Sequence, residues 1–105
     1  MERLEFDLPC SGPPAPAAHP VVVGVLASGN LEVLVRPAPA ADTCHVRVAT
    51  SARGFREVWE AVLRDFAARR ALRGLSLSVN DAGATPAVVS LRLDQAVDEY
   101  LEARP

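Results

Sequence analysis

The stretch VVVGVLASGNLEVLV, residues 21–35, decides the fold class. Two apolar runs, residues 21–27 and residues 31–35, flank a short segment of Ser, Gly and Asn. Strand-like runs joined by a short segment that contains Gly predict a β-hairpin. A hydroxyl at the tip of such a hairpin is open to modification by a larger group, whereas a buried one is not. Most Ser-Gly turns are only turns, because both residues are common there.

Three further segments alternate apolar and polar residues, as expected of strands with one buried face. They are residues 4–8, residues 44–50 and residues 75–79. We expect residues 44–50 to pair with residues 31–35. Such consecutive strands predict an antiparallel sheet with one covered face.

Two segments have the apolar spacing of amphipathic helices. The first has its apolar stripe at Phe55, Val58, Trp59, Val62, Leu63 and Phe66, with an outer ion pair between Glu60 and Arg64, and Gly74 closes the region. The second has Thr85 as its N-cap and Pro86 at its first position. It continues with Val89, Leu93, Ala96, Val97, Tyr100 and Leu101. Residues 88–93 also alternate like a strand, but the cap and the later spacing favour a helix.

The order β-β-β-β-α-β-α predicts an α+β fold. We expect a two-layer sandwich with an antiparallel sheet of about four to five strands and two helices on one face. The 105 residues suit a single domain, residues 1–105, with one modest core. Residues 9–20 contain five prolines and predict an irregular connector. Pro13 and Pro16 have the spacing of an interaction motif, but we favour a plain loop.

Composition excludes several classes of function. The formal net charge of -2 is too small to indicate binding to nucleic acid or to a membrane surface. The first residues are charged, which does not suit a secretory signal, and no apolar run approaches the roughly 20 residues that span a bilayer. Cys10 and Cys44 lack the close spacing of metal ligands, and we expect free thiols. These features predict a cytoplasmic protein.

No catalytic constellation is evident in the sequence. A nucleophilic enzyme needs a base beside its nucleophile. His19 lies in the connector, and His45 alternates away from the apolar residues of its strand, toward solvent. Cys44 is next to His45 and therefore points to the opposite face. With no phosphate-binding glycine loop, dinucleotide fingerprint or metal-ligand cluster, a carrier or binding role is more natural than catalysis.

Three segments resemble the acyl carrier subunit (delta subunit) of malonate decarboxylase. They are residues 27–34 (ASGNLEVL), residues 48–51 (VATS) and residues 81–93 (DAGATPAVVSLRL). The resemblance covers most of the chain outside the connector. The acyl carrier subunit of citrate lyase is a more distant resemblance, because it shares the Ser-Gly hairpin and the Gly-Ala turn before the last helix.

The resemblance implies a site of covalent attachment. In this family the hairpin serine carries phosphoribosyl-dephospho-CoA through a phosphodiester, and the matching position is Ser28. Gly29 and Asn30 would support the turn, since Gly permits a positive φ and Asn tolerates the left-handed region. No catalytic residue and no metal ligand is implied. Asn30 stands where the family often has an acidic residue.

The resemblance also implies a reaction cycle and partners. The thiol of the arm is acetylated, acetyl is exchanged for malonyl, and the malonyl thioester is decarboxylated on other subunits. The implied partners are the transferase (alpha) subunit, the decarboxylase (beta and gamma) subunits, the transferase that attaches the prosthetic group and the acyltransferase that loads the arm. We expect the rims of the hairpin, including Asn30 and Glu32, to contact them.

Two alternatives stay open at this point. The chain could serve a citrate-lyase-like complex, which would use the same covalent group. It could also be a cofactor-free interaction domain, in which the turn at Ser28 has no chemical role. The second alternative gains weight if the Ser28 hydroxyl is buried or consumed in a local hydrogen bond.

Overall fold

Five strands and two helices follow one another in the order that the periodicity of the sequence predicts. The structure is a computed structural model that describes residues 1–102. Its elements are β1 (Glu2–Pro9), β2 (Val21–Gly24), β3 (Leu31–Pro37), β4 (Thr43–Thr50), α1 (Arg56–Arg69), β5 (Leu75–Asp81) and α2 (Pro86–Glu102).

The sheet has the strand order β1-β4-β5-β3-β2. Neighbouring strands are antiparallel except for β4 and β5, which are parallel. A parallel pair needs a long crossover connection, and α1 lies in the connection between β4 and β5. The predicted α+β class is confirmed, with a sheet that is mostly antiparallel.

The expected pairing of residues 44–50 with residues 31–35 is wrong. β4 lies between β1 and β5, and β3 lies between β5 and β2. The crossover through α1 returns β5 to the centre of the sheet, where it separates the two strands that are consecutive in sequence. Alternation within a strand shows which face is buried, but it does not specify the partner strand.

One face of the sheet is covered by both helices. α1 contacts β1, α2 contacts β2 and β3, and the two helices contact each other. Inward residues of the strands, such as Phe6, Val46 and Leu77, form one apolar cluster with the inner faces of the helices. Removal of apolar surface from water is the main favourable term of folding. The two-layer arrangement therefore accounts for the alternation of the strands.

The apolar stripe of α1 is only partly buried. Trp59, Leu63 and Phe66 lie in the core, as their helical spacing predicts. Phe55 and Val58 are exposed, which contradicts the expectation that the whole stripe faces the core. Both line an open groove of about 410 Å³ between the start of α1 and the start of α2. Helical spacing identifies the apolar face of a helix, but not how far a neighbour covers it.

The outer face and the end of α1 are set by local interactions. The predicted ion pair between Glu60 and Arg64 is present, with 3.5 Å between Oε2 and Nη2. The helix ends at Arg69, earlier than expected, and Arg70 has an extended backbone. Gly74, with a φ of +85°, lies in the turn that leads into β5.

α2 begins where its capping residues predict. Thr85 Oγ1 accepts a hydrogen bond from the Val88 N–H at 3.3 Å, and Pro86 is the first helical residue. Residues 88–93 are helical, so their alternation did not indicate a strand. Leu101 is exposed, whereas the other apolar residues of the predicted stripe are buried. Within residues 1–102, no helix is both long and apolar enough to cross a membrane.

The proline-rich connector, residues 9–20, is irregular beyond Pro9, which is the last residue of β1. Ala15 N–H donates to the carbonyl of Arg73 at 2.9 Å, and Ala18 N–H donates to the Tyr100 hydroxyl at 3.0 Å. These bonds attach the connector to the turn before β5 and to α2.

Candidate functional site

The loop between β2 and β3 comprises residues 25–30 and contains Ser28, and we call it the serine loop. It is longer than the predicted three-residue turn. β2 ends at Gly24, whose φ of +89° turns the chain out of the extended conformation. Val25 and Leu26 were expected to continue the strand, but they lie in the loop with 62% and 50% of their surface exposed.

Ser28 and Gly29 occupy the two central positions of a β-turn. The turn is closed by the Asn30 N–H, which donates to the carbonyl of Ala27 at 2.9 Å. Gly29 has a φ of +75°, and a positive angle at this position is typical of a type II turn and favours Gly. Within residues 1–102 only glycines have a positive φ, so Asn30 does not use the left-handed region.

The backbone of Ala82 binds the serine loop to the turn between β5 and α2. Gly29 N–H donates to the Ala82 carbonyl at 2.8 Å, and Ala82 N–H donates to the Asn30 carbonyl at 3.0 Å. These two bonds fix the residues that follow Ser28 to the end of the central strand. Residues 27–34 and residues 81–93, which are far apart in sequence, therefore meet at this loop.

Asp81 shapes the turn that holds the serine loop. Its side chain is buried, with 3% of the residue exposed. The carboxylate accepts three hydrogen bonds, from Thr50 Oγ1 at 2.9 Å, from the Gly83 N–H at 3.1 Å and from the Ala84 N–H at 2.9 Å. Bonds of this kind offset the cost of burying a carboxylate. Asp81 thereby fixes the backbone of the turn on both sides of Ala82, the residue that binds the serine loop.

The Asn30 side chain joins the serine loop to α2. Its Oδ1 accepts hydrogen bonds from the Leu31 N–H at 2.8 Å and from Arg92 Nε at 3.2 Å. Arg92 also donates through Nη1 to Gln95 Oε1 at 2.9 Å. The amide oxygen of Asn30 is thus engaged inside the molecule, although a place on the exposed rim was expected for this residue.

The Ser28 hydroxyl is open to solvent. Ser28 is exposed, and its hydroxyl takes part in no hydrogen bond among residues 1–102. A Cβ added at Gly29 would meet nothing within 4 Å outside its chain neighbours, so no other part of the described chain crowds the residue after Ser28. The Ser28 hydroxyl is therefore exposed and unbonded on an open turn.

Neither histidine is placed to activate Ser28. His45 pairs with Ser76 near the start of β5, whereas the serine loop binds Ala82 beyond the end of that strand. Its ring nitrogens bind Asp7 Oδ1 and Glu5 Oε1, each at 2.9 Å, and these carboxylates raise the pKa of His45. His19 precedes β2, at the end of that strand opposite to the serine loop.

The thiols also lie away from the serine loop. Cys10 and Cys44 are free, as predicted. Cys44 is buried and donates to the Leu75 carbonyl at 3.2 Å. Burial raises the pKa of Cys44 to about 12, so this side chain stays a neutral thiol at physiological pH. Among residues 1–102, no group of His, Cys, Asp and Glu is arranged as a metal site.

The sequence matches one protein family over most of its length. Residues 18–100 match the family model described as malonate decarboxylase delta subunit (MdcD). The chain belongs to this family. Two of its relatives carry the name malonate decarboxylase acyl carrier protein. The Burkholderia cepacia protein is 62% identical over 99 residues, which are 94% of this chain and 90% of the relative. The Acinetobacter calcoaceticus protein is 53% identical over 100 residues, which are 95% of this chain and 97% of the relative.

A solved structure with the same fold supports membership of the malonate decarboxylase delta subunit family. It is a chain of a Pseudomonas malonate decarboxylase hetero-tetramer crystallised in complex with malonate. The two chains are 33% identical with a TM-score of 0.83, and the match covers 95% of this chain and 99% of that one. The family is named for acyl carriers, so the chain belongs to carrier subunits and not to catalytic subunits.

The delta subunit fold places the three residues named from the sequence, Ser28, Gly29 and Asn30, in one exposed loop. Sequence reasoning missed Asp81 and Arg92, which act on this loop from outside it. A signal for Asp81 was present, because Asn-Asp before Gly is typical of a turn in which the side chain binds the backbone. Arg92 gave no such signal, since 62 positions separate it from Asn30.

Proposed function

We propose that this chain is the acyl carrier subunit of malonate decarboxylase and that Ser28 bears its prosthetic group. The observation that carries the proposal is the exposed, unbonded hydroxyl of Ser28 on an anchored turn, in a member of this family. The whole chain, residues 1–105, would act as one carrier domain. Ser28 is the attachment point, and Gly29 and Asn30 hold the turn.

Phosphoribosyl-dephospho-CoA, joined through a phosphodiester, is the group that we assign to Ser28. The residues present suit covalent attachment at this hydroxyl. Ser28 is exposed, and a Cβ on the neighbouring Gly29 would touch nothing within 4 Å outside its chain neighbours. Val25 and Leu26 are exposed in the same loop and offer an apolar contact to the enzyme that attaches the group.

When bound, the group would supply a thiol that carries acetyl and malonyl as thioesters, whose carbonyl accepts the charge developed on decarboxylation. The contribution of this chain is positional. Ser28 is fixed to the frame through Gly29 and Asn30, so a tethered thioester meets each active site at high effective concentration. Because neither histidine lies near Ser28, activation of the hydroxyl falls to the attaching transferase.

The partners in this proposal are enzymes that use or load the arm. They are the transferase (alpha) subunit, the decarboxylase (beta and gamma) subunits, the prosthetic-group transferase and the acyltransferase that loads the arm. A multisubunit assembly has a precedent in the Pseudomonas hetero-tetramer. We place the protein in the cytoplasm, because its two cysteines are free, as is usual in a reducing compartment.

Intact-mass measurement tests the attachment at Ser28. The chain is coexpressed with the attaching transferase in cells that make the prosthetic group. We expect one adduct on the wild-type chain and none on Ser28→Ala. Ser11→Ala is the matched control, because Ser11 is an exposed serine in the connector, and it should be modified like the wild type.

Two results would contradict the attachment proposal. One is an unmodified wild-type chain under conditions in which the decarboxylase complex is active. The other is an adduct that persists on Ser28→Ala.

Mass alone does not separate malonate decarboxylase from a citrate-lyase-like complex, because both would use the same adduct. Reconstitution with the remaining subunits separates them, and we expect turnover of malonate and none of citrate. A cofactor-free interaction domain is disfavoured, since the Ser28 hydroxyl is neither buried nor bonded within residues 1–102.

A further inference from the structure

Arg92 reaches the serine loop from α2. Its Nε donates to Asn30 Oδ1 at 3.2 Å, and its Nη1 donates to Gln95 Oε1 at 2.9 Å. The stem of Arg92 crosses Gly24, where an added Cβ would lie 3.4 Å from Cδ. The guanidinium is therefore held in one place, beside the turn that contains Ser28.

The guanidinium of Arg92 has no carboxylate within ion-pair distance in the described chain. Arg92 is partly buried, yet no carboxylate of residues 1–102 forms an ion pair with it. Arg70 is a useful contrast, because it is also partly buried but binds both Asp94 and Asp98. Desolvation of a charge is costly unless a partner offsets it.

The guanidinium also has donors to spare. An Arg side chain has five N–H groups in a planar fork. Among residues 1–102, Nε and Nη1 each make one hydrogen bond and Nη2 makes none. The remaining N–H groups can bind two oxygens of an anion, the geometry in which Arg binds phosphate groups.

We propose that Arg92 binds the phosphodiester that joins the prosthetic group to Ser28. This inference rests on the proposed function, because the phosphodiester exists only if Ser28 is modified. Ser28 and Asn30 are two residues apart, so their Cα atoms are within about 7.6 Å of each other. In this proposal a phosphate bonded to Ser28 Oγ reaches the guanidinium that Asn30 holds, and its negative charge supplies the missing counter-charge.

The consequence is a firmly oriented base for the arm. A phosphodiester can rotate about its single bonds, whereas one bound by a fixed guanidinium keeps a preferred direction. Asn30 then positions Arg92, which gives a role to the amide at this place in the chain.

NMR of the wild-type protein tests this inference directly. The Nη–H signals of Arg92 are followed in the unmodified and the modified protein, because Nε already donates to Asn30, and intact mass proves the modification. We expect the chemical shifts of these Nη–H groups to change and their hydrogen exchange with solvent to slow about tenfold or more, as befits a charge-assisted hydrogen bond. The signal of Arg36, an exposed arginine at the other end of β3, should not change.

Phosphorus NMR of the modified protein gives a second readout. The phosphodiester resonance should shift in Arg92→Gln and stay in place in the control Arg36→Gln. If the adduct forms but the Arg92 signal and the phosphorus resonance are both unaffected, the inference fails while the proposed function stands. If no adduct forms on the wild-type chain, both fail.

Discussion

The geometry of the serine loop depends on single residues outside it, and Asp81 is the clearest case. Its Oδ2 accepts bonds from Thr50 and from the Gly83 N–H, and its Oδ1 accepts a bond from the Ala84 N–H. In Asp81→Asn one of these oxygens becomes an NH₂ group that faces a donor. At least one of the three donors then loses its acceptor.

We expect Asp81→Asn to lower the free energy of unfolding by about 1.5–3 kcal/mol, since hydrogen bonds to charged groups are worth about that much. Urea denaturation measures the loss, and faster hydrogen exchange at the Gly29 and Ala82 amides would show that the serine loop is loosened. Asp42→Asn is the control, because Asp42 is exposed. Equal stability of the two variants would contradict the role of Asp81.

Gly24 is the second residue on which the loop depends. It has a φ of +89°, and a Cβ there would overlap the Leu31 carbonyl oxygen across the strand pair. Gly12 has a similar φ of +87° but nothing within 4 Å of an added Cβ. Gly12→Ala therefore measures the cost of a left-handed Ala alone, about 1–2 kcal/mol.

We expect Gly24→Ala to cost about 2 kcal/mol more than Gly12→Ala, because overpacking adds to the backbone strain. Thermal or urea unfolding of both variants gives the difference. Equal losses would mean that the backbone at Gly24 shifts freely and that the start of the serine loop is not constrained.

At the scale of elements, β1 and β4 are joined on the uncovered face of the sheet by His45. Asp7 and Glu5 of β1 each bind its ring, and Glu5 Oε1 also lies 3.6 Å from Arg47 Nε. The two carboxylates raise the pKa of His45 above its ordinary value. A raised folded-state pKa stabilises the fold fully below about pH 6.5, the ordinary value for His. The contribution is lost as pH rises through the raised value.

We expect the wild-type protein to lose up to about 1 kcal/mol through this pH range, a small amount because the groups are largely exposed. His45→Gln should remove this part of the pH dependence, and His19→Gln should retain it. Urea unfolding of the three proteins at a series of pH values measures the effect. Parallel curves for wild type and His45→Gln would contradict it.

Periodicity within an element was sufficient to place the strands and helices. It failed for residues whose conformation or burial depends on a neighbouring residue or element. The apolar pair Val25 and Leu26 looked like the end of a strand, yet the φ of Gly24 turns both into the loop. Phe55 and Val58 fit the helical stripe, yet α2 leaves them uncovered. Local pattern reports what a residue prefers, whereas burial depends on what packs against it.

At the scale of the whole molecule, the layers could be predicted but the strand order could not. The helices and the alternating strands required two layers. The position of β5 between β4 and β3 comes from a crossover, and no residue within a single strand encodes it. The candidate site also combines predictable and unpredictable residues. Ser28 and Gly29 belong to one local turn, whereas Asp81 and Arg92 are distant in sequence and are brought near it by the fold.

The two hydrogen bonds between the serine loop and Ala82 have a mechanical consequence. The arm that we propose on Ser28 would pull on its base as it moved between active sites. Such a force would pass through Gly29 and Asn30 to the end of β5, the middle strand of the sheet, and not only to the short edge strand β2. The strands on both sides of β5 would then share the force, and β2 would be less prone to separate from the sheet.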